Sequence, residues 1–180
     1  MSFKKRIVLS SMSAISVIML FLGNTFNCDY VHYMNINLWG ETWTHKYDDT
    51  SCESISTIID EFCSSDMLYT MLAISVLAGV ISVILFMINE KLEVSFVSQA
   101  VSALVALVLL ILISTGTVDL ISDVESLEIR VEGLGLLVYY IIVICTSCIS
   151  YKKYKSNAIE SKEYSKTTEV SNIQIEEITE

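Results

Sequence analysis

Apolar residues along this chain are grouped in four blocks that polar stretches separate. The blocks cover residues 7–23, 67–88, 94–115 and 134–150, and none of them contains a charged side chain. At about 1.5 Å per helical residue, each block is long enough to cross roughly 30 Å of hydrocarbon. Backbone amides inside lipid must bond within their own segment, so the pattern predicts four transmembrane helices, TM1 to TM4.

The basic residues predict the orientation of these helices. Basic clusters lie just before TM1 and just after TM4, whereas the stretches between TM1 and TM2 and between TM3 and TM4 contain only Lys46 and Arg130 as basic residues. Loops rich in Lys and Arg stay in the cytoplasm, so both termini are predicted to be cytoplasmic. The two clusters are Lys4, Lys5 and Arg6 at one end and Lys152, Lys153 and Lys155 at the other.

The segments outside the four blocks follow from this orientation. The first block also fits the basic start and apolar core of a cleaved signal peptide, with Gly23-x-Thr25 as a weak cleavage site. Cleavage would leave three spans and the same outer face. Without cleavage, the predicted segments are a cytoplasmic N-terminus (1–6), a first outer loop (24–66), a cytoplasmic turn (89–93), a second outer loop (116–133) and a disordered cytoplasmic tail (151–180).

Composition agrees with a membrane protein and excludes several functions. The 180 residues are 53% hydrophobic, contain no proline and have a net charge of −10, and the mean hydropathy is +0.57. Without a basic patch beyond the two clusters, nucleic acid is excluded as a partner. No Asp, Glu, Lys, Arg or His lies within a block, which argues against a proton-coupled carrier. No cofactor or metal is predicted.

The outer loops show the alternation that is typical of strands. Residues 30–39 alternate apolar and polar side chains, and residues 42–47 do so again after Gly40-Glu41, a pair that suits a type II′ hairpin turn. Residues 127–132 of the second outer loop alternate in the same way. The predicted fold class is therefore a membrane all-α four-helix bundle with a small extracellular β-sheet formed by the two outer loops.

A short amphipathic helix is predicted between this sheet and TM2. Its apolar residues recur at helical spacing, and Thr50 with Glu53 would form a capping box at its start. The apolar residues are Ile55, Ile58, Ile59 and Phe62.

Three cysteines, Cys28, Cys52 and Cys63, lie in the first outer loop. The exterior is oxidising, so a disulfide is expected there. A continuous helix over 52–63 would hold the two sulfurs roughly 16 Å apart, beyond bonding reach. Either the helix begins after Cys52 or the pair involves Cys28. We favour Cys52 with Cys63, which leaves Cys28 free or joined to another chain.

Small and polar residues within the spans are expected to pack helices together, as they do in other membrane proteins. In TM2, Ser75 and Gly79 are spaced by four residues. In TM3, Ser98, Ser102 and Ala106 form one stripe. Gln99 is the only strongly polar side chain in a span, and it is expected to bond a neighbouring helix.

Two pairs of residues are of types that carry chemistry. Cys145 and Cys148 form a Cys-x-x-Cys in TM4, which raises the alternative of a membrane thiol oxidoreductase. That alternative is disfavoured because these thiols and the loop cysteines lie at opposite membrane faces. Palmitoylation of Cys145 or Cys148 fits their juxtamembrane position better, and inert thiols are an equal alternative. His32 and His45 lack the spacing of a metal site.

The first outer loop contains Leu38, Trp39 and Gly40, followed by Cys52 and Cys63. With four spans and a strand-rich first loop, this resembles the claudin and peripheral myelin protein superfamily. The order Leu-Trp-Gly is also similar to the amastins, and the layout is similar to fungal cortical tetraspans. The resemblance implies a structural role for Trp39, which would brace the sheet near the outer leaflet. It also implies that clustered acidic residues face cations, namely Glu41, Asp48 and Asp49.

These observations predict a non-enzymatic, claudin-like surface tetraspan of the plasma membrane. It would organise contacts between membranes or within one membrane through its acidic outer loop. Its partners would be membrane lipid and either further copies of itself or another membrane protein. The alternative from another class is an auxiliary subunit of a channel or receptor.

Overall fold

The structure is a computed structural model dominated by long helices. It describes residues 1–23, 25–38, 41–62, 66–89, 91–115 and 124–178, and it describes side chains in residues 1–23, 25–26, 54–60, 66–89, 91–115 and 129–159. The elements, in chain order, are α1 (Phe3–Leu22), β1 (Phe26–Leu38), β2 (Glu41–Glu53), α2 (Ile55–Phe62), α3 (Asp66–Ile88), α4 (Leu92–Ser114), β3 (Val124–Ile129) and α5 (Val131–Ile178).

Four of these helices are long and apolar enough to cross a membrane, which confirms the helical part of the predicted fold class. They are Phe3–Leu22, Asp66–Ile88, Leu92–Ser114 and the Val131–Ile159 part of α5. In the bundle, α4 packs along both α3 and α5, and α1 packs mainly against α3.

The bundle differs from a soluble protein because many large apolar side chains are exposed while several serines are buried. Ser13, Ser75 and Ser82 are at most 1% exposed, whereas Leu77 is 61% exposed and Val97 is 53% exposed. Water would make such an exposed apolar surface costly, but lipid would not, and small residues allow close helix approach inside it. The arrangement is therefore that of helices whose outer surface faces hydrocarbon.

The strands form a three-stranded antiparallel sheet in the order β2-β1-β3. In the β1–β2 hairpin, Phe26 pairs with Glu53 and Leu38 pairs with Glu41, so the strands extend beyond the predicted ranges 30–39 and 42–47. The prediction that Glu41 belongs to the turn is wrong, because Glu41 already belongs to β2, whereas Gly40 lies outside the described residues. Strand β3 runs from Val124 to Ile129, so it begins earlier than the predicted range 127–132. The predicted end of that strand is wrong, because Val131 and Glu132 belong to α5.

The sheet and α2 join one end of the bundle. The amide of Arg130 donates a hydrogen bond of 3.0 Å to the Thr25 carbonyl, and Phe26 is fully buried in the same core as Leu20. Helix α2 confirms the predicted amphipathic helix, although it begins at Ile55 and not directly after Thr50. It contributes Ile55, Ile58 and Ile59 to that core.

The start of α2 is capped in a way that the sequence analysis did not predict. Thr50 and Glu53 lie in β2, so the predicted capping box is wrong. Instead the Ser54 hydroxyl accepts a hydrogen bond of 3.2 Å from the amide of Thr57. Serine is a favoured N-cap because its oxygen satisfies a first-turn amide that has no helical partner.

Helix α5 continues far beyond the fourth apolar block, so the prediction of a disordered tail from residue 151 is wrong where the helix extends. Tyr151 and Tyr154 both pack against Phe96 of α4, with ring centroids 6.4 Å and 6.1 Å away. These aromatic contacts stabilise the first turns of α5 beyond the apolar block. The polar composition alone did not suggest a helix there.

Candidate functional site

The most polar point inside the bundle is Gln99 of α4, which is 1% exposed. Its side-chain amide donates a hydrogen bond of 2.8 Å to the Leu9 carbonyl of α1. Its side-chain oxygen accepts one of 2.8 Å from the Ser147 hydroxyl of α5. One side chain therefore ties three helices together, and the expectation that Gln99 bonds a neighbouring helix is confirmed.

Helices α3 and α4 are joined by a reciprocal pair of serine bonds. Ser75 donates to the Ser102 carbonyl at 2.9 Å, and Ser102 donates to the Ser75 carbonyl at 2.7 Å. Gly79, four residues after Ser75, lies at the same helix contact. A Cβ there would contact Val17 of α1 and come within 2.9 Å of the Ser102 hydroxyl. The predicted packing role of Ser75, Gly79 and Ser102 is confirmed, whereas the predicted stripe member Ser98 is only half-buried.

Two tyrosines of α5 bind α1 in a way that the sequence analysis missed. The Tyr139 hydroxyl donates to the Met12 carbonyl at 2.8 Å, and the fully buried Tyr140 donates to the Ser16 carbonyl at 3.2 Å. A pair of tyrosines in an apolar block does not indicate which helix their hydroxyl groups will contact. Only the helix packing reveals that these hydroxyls reach α1.

These bonds decide what the interior of the bundle can do. Gln99, Ser75, Ser102 and Tyr140 each use their polar atoms on another helix of the same chain. A buried polar group that already has a protein partner holds helices together and does not bind a transported substrate without losing that partner. Within the described residues, the surfaces open to a partner or ligand are therefore at the two ends of the bundle.

At the sheet end, the structure does not bring the three predicted acidic residues together. Glu41 begins β2 opposite Leu38, whereas Asp48 and Asp49 lie opposite Val31 and Tyr30. At about 3.4 Å per residue, Glu41 and Asp48 are roughly 24 Å apart along the strand. Their side chains lie outside the described residues, so their role towards cations stays a prediction.

The loop cysteines are only partly described. Cys52 lies in β2 opposite Asn27, and Cys28 lies in β1 opposite Ser51. Helix α2 begins after Cys52, so the case of one continuous helix over 52–63 does not arise. Cys63 lies outside the described residues, and the disulfide between Cys52 and Cys63 stays a prediction.

The two cysteines of α5 are free and exposed on the surface of the bundle. Cys148 lies seventeen residues after Val131, which begins α5 next to the sheet, so it is roughly 25 Å from that end. This separation weighs against electron exchange with the loop cysteines. Surface exposure near a basic cluster suits acylation of Cys145 or Cys148, which stays a prediction.

The remaining predicted residues lie at the hairpin. Leu38 ends β1, whereas Trp39 and Gly40 lie outside the described residues. His32 and His45 lie in β1 and β2, opposite Tyr47 and Met34. Among the residues that the structure describes, no group of three potential metal ligands occurs.

Four candidate spans around a bonded interior define an integral, multi-pass membrane protein. Comparison with known proteins matches the chain to no family model, no curated protein and no solved structure.

Proposed function

We propose that this protein is a non-enzymatic, claudin-like tetraspan of the plasma membrane that organises membrane contacts through an extracellular sheet. The observation that carries the proposal is the attachment of the three-stranded sheet to one end of the bundle, through buried Phe26 and the bond between Thr25 and Arg130. A sheet anchored to the bundle in this way suits docking. The buried polar side chains described above form hydrogen bonds with other helices of the same chain, which favours a scaffold over a carrier.

The charge distribution supports an outward-facing sheet. The charged side chains of the two outer loops are mostly acidic, whereas basic clusters flank the opposite ends of α1 and of the α5 span. Because positive charge is retained in the cytoplasm, this polarity favours a sheet on the outside.

The sheet itself offers an edge for docking. Strand β2 pairs with β1 along thirteen residues, and no further strand in the described part of the chain covers its other side. An open edge presents unpaired backbone groups that a second strand can join. A second copy of this chain, or a partner protein, would dock at this edge.

A cross-linking experiment tests the proposal. Lys46 is the only lysine in the two outer loops, so a membrane-impermeant amine cross-linker added to intact cells should react with the chain at Lys46 alone. We expect Lys46–Lys46 products between copies, and Lys46→Arg should remove them while the positive charge is kept.

The products separate the candidate functions. A single product of Lys46 with a larger channel or receptor would favour the auxiliary-subunit alternative. Labelling of Lys91 in the α3–α4 turn, with Lys46 unlabelled, would show that the orientation is the reverse of the proposed one and would overturn the proposal. A thiol oxidoreductase would instead lose redox activity on Cys145→Ser or Cys148→Ser.

A further inference from the structure

A cavity of about 630 Å³ lies between the start of α1 and the segment of α5 that follows its apolar block. Pockets that bind small molecules have volumes of roughly 300–1,000 Å³. This cavity lies away from the sheet and shares no residue with the interhelical bonds described above. It is therefore a separate candidate site, and the inference drawn from it does not rest on docking through the sheet.

The lining of the cavity combines apolar surface with two basic side chains and several hydrogen-bond donors. Lys5 of α1 and Lys153 of α5 contribute two cationic side chains, and none of the lining residues is acidic. The other polar lining residues can donate hydrogen bonds through hydroxyl or amide groups. They are Ser2, Ser150, Tyr154 and Asn157.

The cavity also crosses from apolar to polar surroundings. Ile149 at one end belongs to the apolar block and is 68% exposed. Asn157, at the other end, is eight residues further along α5, a rise of roughly 12 Å. Such a cavity suits a ligand with an acyl chain beside Ile149 and an anionic group beside the lysines. Free phosphate would contact only the part of the cavity that holds Lys5 and Lys153.

One wall of the cavity is held in place by the packing of the bundle. Tyr154 lines the cavity and also packs on the ring of Phe96, 6.1 Å away between centroids. Phe96 is 1% exposed and lies in a second apolar cluster with Leu9 and Phe86. A wall anchored in this way reduces the ordering that a ligand must impose on binding.

We propose that this cavity binds an anionic phospholipid, with the phosphate headgroup between Lys5 and Lys153 and an acyl chain along Ile149. A phosphate carries the negative charge and the acceptor oxygens that two lysines and several hydroxyl and amide donors match. Basic pockets between membrane helices on the cytoplasmic side are suited to such headgroups.

Lipid retention by the purified full-length protein in detergent tests this site by native mass spectrometry. The probes are phosphatidylinositol 4-phosphate, phosphatidylcholine and inorganic phosphate. We expect the phosphoinositide to be retained in preference to phosphatidylcholine. The double variant Lys5→Gln with Lys153→Gln should reduce this retention roughly tenfold or more, since each lysine contributes to binding an anionic lipid.

The matched control is Lys4→Gln with Lys152→Gln. It removes the same charge from neighbouring residues that do not line the cavity, and it should retain the phosphoinositide within about threefold of the unchanged protein. The variant Lys5→Arg with Lys153→Arg keeps both charges and should retain the lipid, which shows that substitution there is compatible with folding.

Three results would overturn the proposal. Equal losses in the Gln pair and in its control would mean that binding follows net charge and not the cavity. Equal retention of phosphatidylcholine would remove the role of the anionic headgroup. Complete displacement of the phosphoinositide by millimolar inorganic phosphate would identify a free-anion site in place of a lipid site.

Discussion

At the scale of single residues, the bundle depends on a few polar side chains in otherwise apolar helices. Gln99 contacts α1 and α5 at once, through the Leu9 carbonyl and the Ser147 hydroxyl. The sequence identified Gln99 as unusual because no other strongly polar side chain lies in a span. It could not identify the partners, because Leu9 and Ser147 are 90 and 48 residues away along the chain.

A double-mutant cycle measures the bond between Gln99 and Ser147. Gln99→Leu should lower the free energy of unfolding by about 1–2 kcal/mol, and its coupling with Ser147→Ala should be about 0.5–1.5 kcal/mol. The measurement is reversible unfolding in mixed detergent micelles. The matched cycle uses Ser114→Ala, since Ser114 bonds only the Ile111 carbonyl of its own helix. Equal coupling in the two cycles would contradict a direct bond.

At the scale of elements, the distance between helices is set where small residues meet. Gly79 of α3 lies against Val17 of α1 and Ser102 of α4, whereas Gly135 of α5 has open space where a Cβ would be. The sequence marked Gly79 through its spacing from Ser75. A similar signal was lacking for Gly133, whose Cβ would come within 2.5 Å of the Thr25 carbonyl.

Two alanine substitutions separate packing from helix propensity. Gly79→Ala should destabilise the protein by about 1–3 kcal/mol, because a methyl group there forces α1 or α4 away from α3. Gly135→Ala should be neutral or slightly stabilising, because alanine favours a helix by up to about 1 kcal/mol over glycine. Unfolding in detergent is again the readout. Greater loss in Gly135→Ala than in Gly79→Ala would refute the contact at Gly79.

The extension of α5 was present in the sequence pattern but was hidden by composition. Tyr140, Val143 and Ser147 are fully buried, and Tyr151 and Tyr154 continue the same helical spacing of three and four residues. The polar side chains between them suggested disorder. The spacing of Tyr151 and Tyr154 is a signal of a continued helix face that the prediction of a disordered tail did not take into account, and α4 supplies Phe96 as the partner of that face.

At the scale of the whole molecule, four crossings, one for each candidate span, would place both ends of the chain at the same side of a membrane. The basic clusters before α1 and after the α5 apolar block favour the cytoplasmic side for both. The sheet and α2 would then lie outside, and the basic cavity would lie inside.

Protease protection tests this orientation. Short tags at Met1 and Glu180 in sealed, right-side-out vesicles should both resist an added protease, and both should become sensitive after permeabilisation. A tag within the first outer loop should be cleaved from the start and serves as the control. Cleavage of one terminal tag alone, before permeabilisation, would be incompatible with four crossings.

The sequence by itself determined the four helices, because any continuous apolar block of this length must satisfy its own backbone bonds in lipid. It also determined that Ile55, Ile58 and Ile59 share one face of a helix, and that Gln99 bonds another helix. The first rests on local periodicity and the second on a solitary polar residue. Only the tertiary structure decided the partners of Gln99, the bonds of Tyr139 and Tyr140 to α1, and the basic cavity between α1 and α5. Such contacts join residues remote in the chain, and no local pattern encodes which helix faces which.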